Sequence, residues 1–325
     1  MTPDFLIRAN GEDITATIRD RLLSFRLTDV AELSSDDVEL VLDDRDSMIV
    51  LPTTGAELEV ALGYQETGLV RMGRFFVDEV EISGPPSTLT IRAKAVDFVA
   101  AMQTQKTRAW QDMTLGDIVA AIASEHRYEA VVAKQLGKIA LPHVAQTAES
   151  DLNLLVRLAE EHGAVLKPMS TRLCFVKKGA AEKASGEAMP VLDLSLGDVT
   201  SWRVSLTTRD QAKSVRARWH DRSRADTLSL VVGHGEPVFE ITHIHDSEAA
   251  ARNAAEGKLG ELQRSASTVS LGLPGNPEAS AERIMRLSGF RDGANGDWIC
   301  RRVEHALSDT GFTTQIDGEA AASSG

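Results

Sequence analysis

The chain has 325 residues, of which 42% are hydrophobic and 26% charged, and its formal net charge is -13 at pH 7. This length exceeds what a single hydrophobic core usually serves, so two or three domains are expected. The acidic charge disfavours a protein that grips nucleic acid. No apolar run reaches the roughly 18 residues of a membrane-spanning helix, so no membrane anchor is expected.

The first residues, Met1 to Phe5, lack a basic region followed by an apolar core. We therefore expect no signal peptide and synthesis in a cytoplasm. Such a compartment keeps thiols reduced, and the two cysteines, Cys174 and Cys300, each lie in an apolar run. The sequence predicts buried free thiols in preference to a disulfide.

Residues 1–98 carry strand signals in short runs separated by Asp, Gly and Pro. The runs are 5–7, 22–27, 38–42, 58–62 and a hairpin within 63–96. This pattern predicts a small barrel or sandwich. The acidic stretch 43–46 lacks the glycine and the final glutamate of a calcium loop, so a solvated turn is expected there.

The hairpin is the most informative stretch, because a similar pattern recurs near the other end of the chain. Alternating residues 73–81 precede a Gly-Pro-Pro turn and 89–93, while 296–304 precede Ser308 to Gly311 and 312–316. A gapless alignment places Leu89 on Phe312. The anchors of this predicted structural repeat are Gly73, Phe75, Val80, Gly296, Trp298 and Val303.

Two questions about this repeat stay open in the sequence. The hairpins could be one β module used twice, or two unrelated hairpins that share glycine and aromatic preferences. The aromatic anchors Phe75 and Trp298 could fill the cores of their own modules or lie at an interface.

Residues 99–180 have the character of an α/β insert domain. Thr114 and Asp117 are placed to begin a helix whose apolar residues fall on one face. A second helix is predicted from Ser150–Asp151 to His162–Gly163, where glycine ends it. The runs 164–168 and 173–176 predict a hairpin.

The small, polar stretch 181–187 predicts a flexible linker. Strand signals return in 188–318, which we interpret as the second β-barrel, and it includes a helix over 246–264 with Asp246 as N-cap. Residues 319–325 are expected to form a flexible tail. The fold class is therefore mixed and predominantly β, with two related β-barrels, an α/β insert between them and a helix beside the second.

Candidate chemistry is sparse. His243 and His245 could share a face of a strand and bind a metal, but a third ligand is not evident. Glu160 and Glu161 are adjacent on a helix, where their side chains point in different directions and cannot flank one bond. His126 and His162 lie near helix ends, where a cationic histidine complements the helix dipole. No nucleophile, phosphate-binding or dinucleotide motif is present, so the sequence predicts no enzyme and no catalytic, cofactor-binding or metal-binding residue.

The order of elements resembles the late control gene D proteins, the baseplate hub family of contractile-tailed phages. The resemblance is carried by Trp110, the stretches 114–119 and 149–159, and the closing segments 303–305 and 311–314. It implies a structural homotrimer in the virion tail whose paired tube-like barrels adapt a sixfold tail tube to a threefold spike. The implied partners are the spike and the tail tube and baseplate proteins, with DNA passing through a channel without specific binding.

Two other functions remain open in the sequence. One is a peptidoglycan-degrading enzyme of the tail, motivated by acidic residues and histidines near helix ends, and the other is a β-rich module that binds carbohydrate or protein. The sequence also leaves open whether the particle is an infectious phage, a bacteriocin or another injection system.

Overall fold

A computed structural model describes the chain at residues 1–31, 36–95, 102–169, 172–177, 189–207, 213–221, 224, 226–245, 247–265 and 267–321. The predicted linker 181–187, Asp246, the 98/99 boundary and residues 322–325 lie outside this part. The described structure is predominantly β, which confirms the fold class. Its helices do not combine the length and the apolarity that crossing a bilayer requires.

The N-terminal part is built from antiparallel strands and one short helix. In chain order these are β1 (Pro3–Ala9), β2 (Glu12–Asp13), α1 (Thr15–Arg19), β3 (Leu22–Val30), β4 (Asp37–Asp43), β5 (Glu57–Tyr64), β6 (Gly68–Ser83) and β7 (Thr88–Lys94). Apolar residues alternate along β4, and Val38, Leu40 and Leu42 are each 1% exposed. The predicted hairpin is formed by β6 and β7.

The central part alternates strands and helices. Its elements are β8 (Gln105–Thr114), α2 (Leu115–Glu125), β9 (Glu129–Val132), α3 (Lys134–Gly137), β10 (Ala140–Ser150), α4 (Asp151–Glu161), β11 (Ala164–Met169) and β12 (Arg172–Lys177). The Thr114 hydroxyl accepts a hydrogen bond from the Asp117 N–H at 3.2 Å, and the Asp117 carboxylate accepts from the Thr114 N–H at 3.0 Å. Gly163 follows α4 with φ +59°. The two predicted helices and the β11–β12 hairpin are confirmed.

The C-terminal part returns to strands and contains one long helix. Its elements are β13 (Leu192–Ser195), β14 (Ser201–Leu206), β15 (Ser214–Asp221), β16 (Asp226–Gly233), β17 (Val238–His245), α5 (Glu248–Ser265), β18 (Ser267–Pro274), β19 (Ile284–Ser288), β20 (Gly296–Ser308) and β21 (Gly311–Ala320), with a 3₁₀ turn at Leu196–Asp198. The hydroxyl of Ser247 accepts from the Ala250 N–H at 3.2 Å and caps the start of α5. The prediction placed this cap one residue earlier, at Asp246.

The prediction of a tail from residue 319 is wrong for its first two residues. Glu319 and Ala320 belong to β21, where they pair with Thr268 of β18 and Trp298 of β20. Glu319 is 7% exposed, and its carboxylate lies 3.1 Å from Arg301. The strand continues because both neighbouring strands supply partners for its backbone.

A sheet of 13 described strands joins the two ends of the chain. Its path is β14-β18-β21-β20-β3-β4-β7-β6-β5-β1-β2, with β19 beside β20 and β13 beside β19. The N-terminal and C-terminal strands meet where β20 pairs antiparallel with β3. The predicted β modules are therefore continuous in one sheet.

The described hydrophobic residues form separate clusters under the different parts. One cluster lies inside β1 and β3–β7 and includes Leu307 and Phe312 from the C-terminal hairpin. A second belongs to residues 102–175, and a third lies inside β13, β14 and β18–β21. A fourth joins Val215 and Ala217 of β15 to one face of α5. The long helix thus packs on a small sheet of order β16-β15-β17. Along the sequence, this sheet and the helix lie between β14 and β18, which are neighbours in the large sheet.

Candidate functional site: two equivalent sets of strands

Two sets of six strands in the large sheet follow the same path. The first is ordered β3-β4-β7-β6-β5-β1 in space, and the second β14-β18-β21-β20-β19-β13. In the first set the chain enters at β1 and leaves at β7, and in the second it enters at β13 and leaves at β21. A short helical turn lies between β1 and β3 and another between β13 and β14. The sets differ in one pairing, because β1 is antiparallel to β5 whereas β13 is parallel to β19.

The predicted anchors occupy matching places in these sets. Gly73 (φ +140°) pairs with β5, and Gly296 (φ +121°) pairs with β19, and both backbones lie in the region that favours glycine. Phe75 is 1% exposed and Trp298 4%, so both rings fill cores and neither is free for an interface. Val80 is half-buried whereas Val303 is fully buried.

Backbone irregularities also match. The ladder of β6 with β7 shifts between Val77 and Glu79, and that of β20 with β21 shifts between Cys300 and Arg302. Val77 donates to the Ala56 carbonyl at 2.9 Å and accepts from the Gly55 N–H at 2.7 Å. Cys300 makes the same two hydrogen bonds with Arg283 and Glu282, at the same distances. Gly55 and Glu282 both have positive φ, at +83° and +65°.

The gapless alignment is wrong in the second strand of the hairpin. Val80 lies opposite Ile91, and its counterpart Val303 lies opposite Ile316. The register thus places Leu89 on Thr314, two residues beyond the predicted Phe312. The four-residue connection from Ser83 to Thr88 is replaced by a two-residue turn after Ser308, and the ladder of β20 with β21 continues two residue pairs further towards this turn. Because the shift is two residues, each side chain keeps its face of the sheet.

The junction between the two sets is the β3–β20 ladder. It runs from Ser24 opposite Ser308 to Val30 opposite Arg302. Where β20 pairs with β3, the side chains of Phe25 and Leu27 are 1% and 2% exposed. On the other face, the guanidinium of Arg26 lies 3.5 Å from the carboxylate of Glu304. The junction therefore combines backbone pairing, apolar burial and an ion pair.

A buried polar cluster links the junction to the central part. The Lys167 ammonium of β11 lies 3.2 Å from an Asp29 oxygen and donates to the Val30 carbonyl at 3.3 Å. The other Asp29 oxygen accepts from the Ala281 N–H at 2.8 Å. Burial opposes the charge on Lys167, but the carboxylates of Asp29 and Asp36 outweigh it and raise the pKa of the lysine. These contacts hold the N-terminal, central and C-terminal parts of the chain together at Asp29.

Comparison with known proteins identifies the family. The family model for the phage tail baseplate hub (GPD) matches residues 30–311, which include the β6–β7 hairpin, the whole central part and all of β20. The chain belongs to this baseplate hub family. The probable baseplate hub protein of Escherichia phage P2 is 32% identical over 361 residues, covering 98% of this chain and 93% of the relative.

Solved structures of tail proteins share the hub fold. The 43 kDa tail protein of prophage MuSo2 from Shewanella oneidensis is similar with a TM-score of 0.74 at 15% identity, over 98% of both chains. A tail protein of Neisseria meningitidis MC58 is similar with a TM-score of 0.73 at 13% identity, over 98% of this chain and 97% of the other. The fold is therefore that of phage tail proteins across nearly the whole chain.

The central part of the hub contains a charged network that sequence reasoning missed. The fully buried carboxylate of Asp151 receives Lys106 at 2.6 Å, Arg108 at 2.8 Å, and His126 at 2.9 Å. Burial would raise the pKa of Asp151, but hydrogen bonds led by that of Lys106 outweigh it and lower the pKa to about 2. Glu125, His126 and Asp151 lie close enough for a metal, yet two cationic side chains already occupy the aspartate oxygens. The arrangement suits a structural ion network.

The histidines and glutamates singled out in the sequence have other surroundings. His126 binds Asp151, and His162 is half-buried, with both ring nitrogens buried and without a hydrogen-bond partner among the described residues. Burial lowers the pKa of His162, so at neutral pH it lacks the charge that the helix-dipole interpretation requires. Glu161 lies 3.2 Å from Arg157. His243 and His245 share one face of β17, with ring centroids 4.9 Å apart.

Proposed function

We propose that the hub is a homotrimer in which three chains arrange six equivalent strand sets around one axis. The carrying observation is that each chain contains two sets with the same strand order, joined head to tail through β3 and β20. A head-to-tail contact forms a closed ring when the rotation between neighbours divides a full turn. Six sets from three chains match sixfold symmetry on one side and threefold symmetry on the other.

This arrangement suits an adaptor between a sixfold tail tube and a trimeric spike. The partners are then the spike, the tail tube and other baseplate proteins, and DNA passes along a central channel without specific binding. The net charge of -13 supports a channel that does not hold DNA, because like charges repel. The protein is made in the cytoplasm of the bacterial host and incorporated into the virion tail.

We further propose that the hub is not an enzyme. The ion pair of Glu161 with Arg157 gives that carboxylate a structural partner and supports this view over a peptidoglycan hydrolase. Zymography on peptidoglycan should show no clearing by the wild type or by Glu161→Gln. Clearing by the wild type that Glu161→Gln abolishes would contradict the proposal.

Native mass spectrometry tests the assembly. The expected species contains three chains of 35.1 kDa each. It forms either from the protein alone or together with the spike of the same particle, whose mass is then added. A chain that stays monomeric in both preparations would overturn the proposal. A monomer that binds glycans would favour the carbohydrate-binding alternative.

A further inference from the structure

Strand β16 forms one edge of the small three-stranded sheet that packs on α5. The sheet has the order β16-β15-β17, and β16 pairs with β15 alone among the strands that the structure describes. Residues 228–232 make no backbone-to-backbone hydrogen bond with a described residue outside β15. The far edge of β16 therefore presents backbone N–H and C=O groups that can pair with another strand.

This edge lacks the features that usually keep other strands away, which are charges, prolines and bulges. After Asp226, the strand has no charged residue and no proline, and its ladder with β15 runs without a register shift. The other described edge strands outside the large sheet each carry a charge or a proline: Lys106 on β8, Glu129 on β9, Pro142 on β10, Pro168 on β11 and Glu240 on β17. Strand β16 is thus the least protected edge of this group.

The two faces of the sheet differ beside the open edge. On the face toward the helix, Leu230 and Val232 belong to one apolar cluster with Leu259 of α5. On the other face, Val231 is 49% exposed and lies opposite Arg216 of β15. A strand added at this edge would continue an apolar surface on one face and meet an arginine on the other.

The basic character of the outer face comes from β15. Arg216, Arg218 and His220 alternate along this strand and share the face away from α5. Arg218 lies 3.7 Å from Glu240 of β17, whereas Arg216 is exposed and has no ion pair with a described residue. The whole chain carries a net charge of -13. An acidic segment is therefore repelled by most of the protein and attracted to this face.

The distances allow Arg216 to act across β16. A new strand would lie about 4.8 Å from β16 and about 9.6 Å from β15. A guanidinium and a glutamate carboxylate can span this separation together, because both side chains are long. The intervening side chains include Ser229, which is small and leaves room above β16.

We propose that β16 accepts an extended segment of a different protein as a fourth strand of the small sheet. The segment has apolar side chains on the face of Leu230 and Val232, alternating with acidic side chains on the face of Arg216. A second β16 does not fit this description, since residues 227–233 contain no acidic side chain to meet Arg216. The inference goes beyond the proposed trimer and does not depend on it.

A synthetic peptide tests the strand addition. The probe has the eight-residue length of β16 and alternates valine with glutamate. When the peptide is bound to the full chain, hydrogen exchange should slow at least about fivefold in residues 228–232. Exchange in β17, at the opposite edge, should stay unchanged. Binding that leaves the exchange of residues 228–232 unaltered would overturn the strand addition.

Two variants test the chemistry of recognition. Arg216→Glu should weaken binding of the valine-glutamate peptide about tenfold by fluorescence anisotropy, and a valine-lysine peptide should then bind more tightly than it binds the wild type. Val231→Glu should also weaken binding of the valine-glutamate peptide about tenfold, because it places a negative charge beside the edge. The matched control is Arg291→Glu, which makes the same charge change at an exposed arginine between β19 and β20. Equal melting temperatures would show that the variants remain folded.

The outcomes distinguish the possible occupants of the edge. Equal affinity of the valine-glutamate peptide for Arg216→Glu and Arg291→Glu would contradict an acidic partner, as would equal affinity of the wild type for both peptides. Self-association of the wild type that Val231→Glu abolishes would assign the edge to a second copy of the chain and overturn the proposal. A protein that binds the peptide as expected but never forms a trimer would contradict the proposed function alone.

Discussion

The carboxyl of Asp36 lies beside that of Asp29 in the polar cluster where three parts of the chain meet. Burial and the neighbouring Asp29 charge raise the pKa of Asp36 to about 7. The folded protein therefore holds this proton more tightly than the unfolded chain. The resulting stabilisation is fully present below the unfolded pKa near 3.8 and is lost as pH rises through about 7.

Replacing Asp36 by Asn should remove this pH dependence. We expect Asp36→Asn to gain stability relative to the wild type between pH 5 and pH 8, on the order of 2 kcal/mol, measured by urea unfolding. The exposed Asp292→Asn is the control and should show no such trend. An equal effect of Asp36→Asn at both pH values would show that this carboxyl does not titrate in the folded state.

A second residue-scale prediction concerns Gly275, where two parts of the chain approach closely. Its carbonyl accepts from the Tyr64 hydroxyl at 2.9 Å, and a Cβ here would overlap the ring of Phe312. Gly275→Ala should therefore destabilise the protein by about 1–3 kcal/mol, seen as a lower melting temperature. Gly197→Ala is the control, since its Cβ would meet only the Ser195 hydroxyl at 3.8 Å. Equal melting temperatures for the two variants would contradict the steric argument.

At the scale of elements, much of the local structure could be predicted, because its signals lie within a few residues. Thr114 and Ser150 begin helices as their positions predict, and alternation with glycine located both hairpins. The β8–β10 pairing was missed, because neither strand shows which distant partner it will take. The two-residue shift between the hairpins was also missed, since it depends on turn length. The Ser-aromatic-Arg-aliphatic pattern shared by β3 and β14 was available and would have revealed more of the matching strands.

The capping box of α2 gives an element-scale prediction. Thr114→Ala removes the acceptor for the Asp117 N–H and should destabilise the central part by about 1 kcal/mol. Hydrogen exchange of α2 amides measures this locally. Thr147→Ala, at an exposed position of β10, is the control. Unchanged exchange in α2 would mean that packing of its buried face, and not the cap, determines its stability.

For the whole molecule, the β3–β20 junction changes the meaning of the repeat. Two hairpins with similar local sequences could have belonged to domains with different strand orders. The repeat would then have given no support to a sixfold arrangement. They instead occupy the same place in sets with the same strand order. The candidate site could be predicted only in part. Its glycine and aromatic anchors are signals within a few residues, whereas the β3–β20 junction depends on which distant strand pairs with each sheet edge.

Electron microscopy of the purified oligomer viewed along its axis tests whether the strand sets form a ring. We expect three chains around a channel, with six strand sets related by successive rotations of about 60° and linked alternately within and between chains. Three copies whose two strand sets lie at different radii, or face the axis differently, would contradict it.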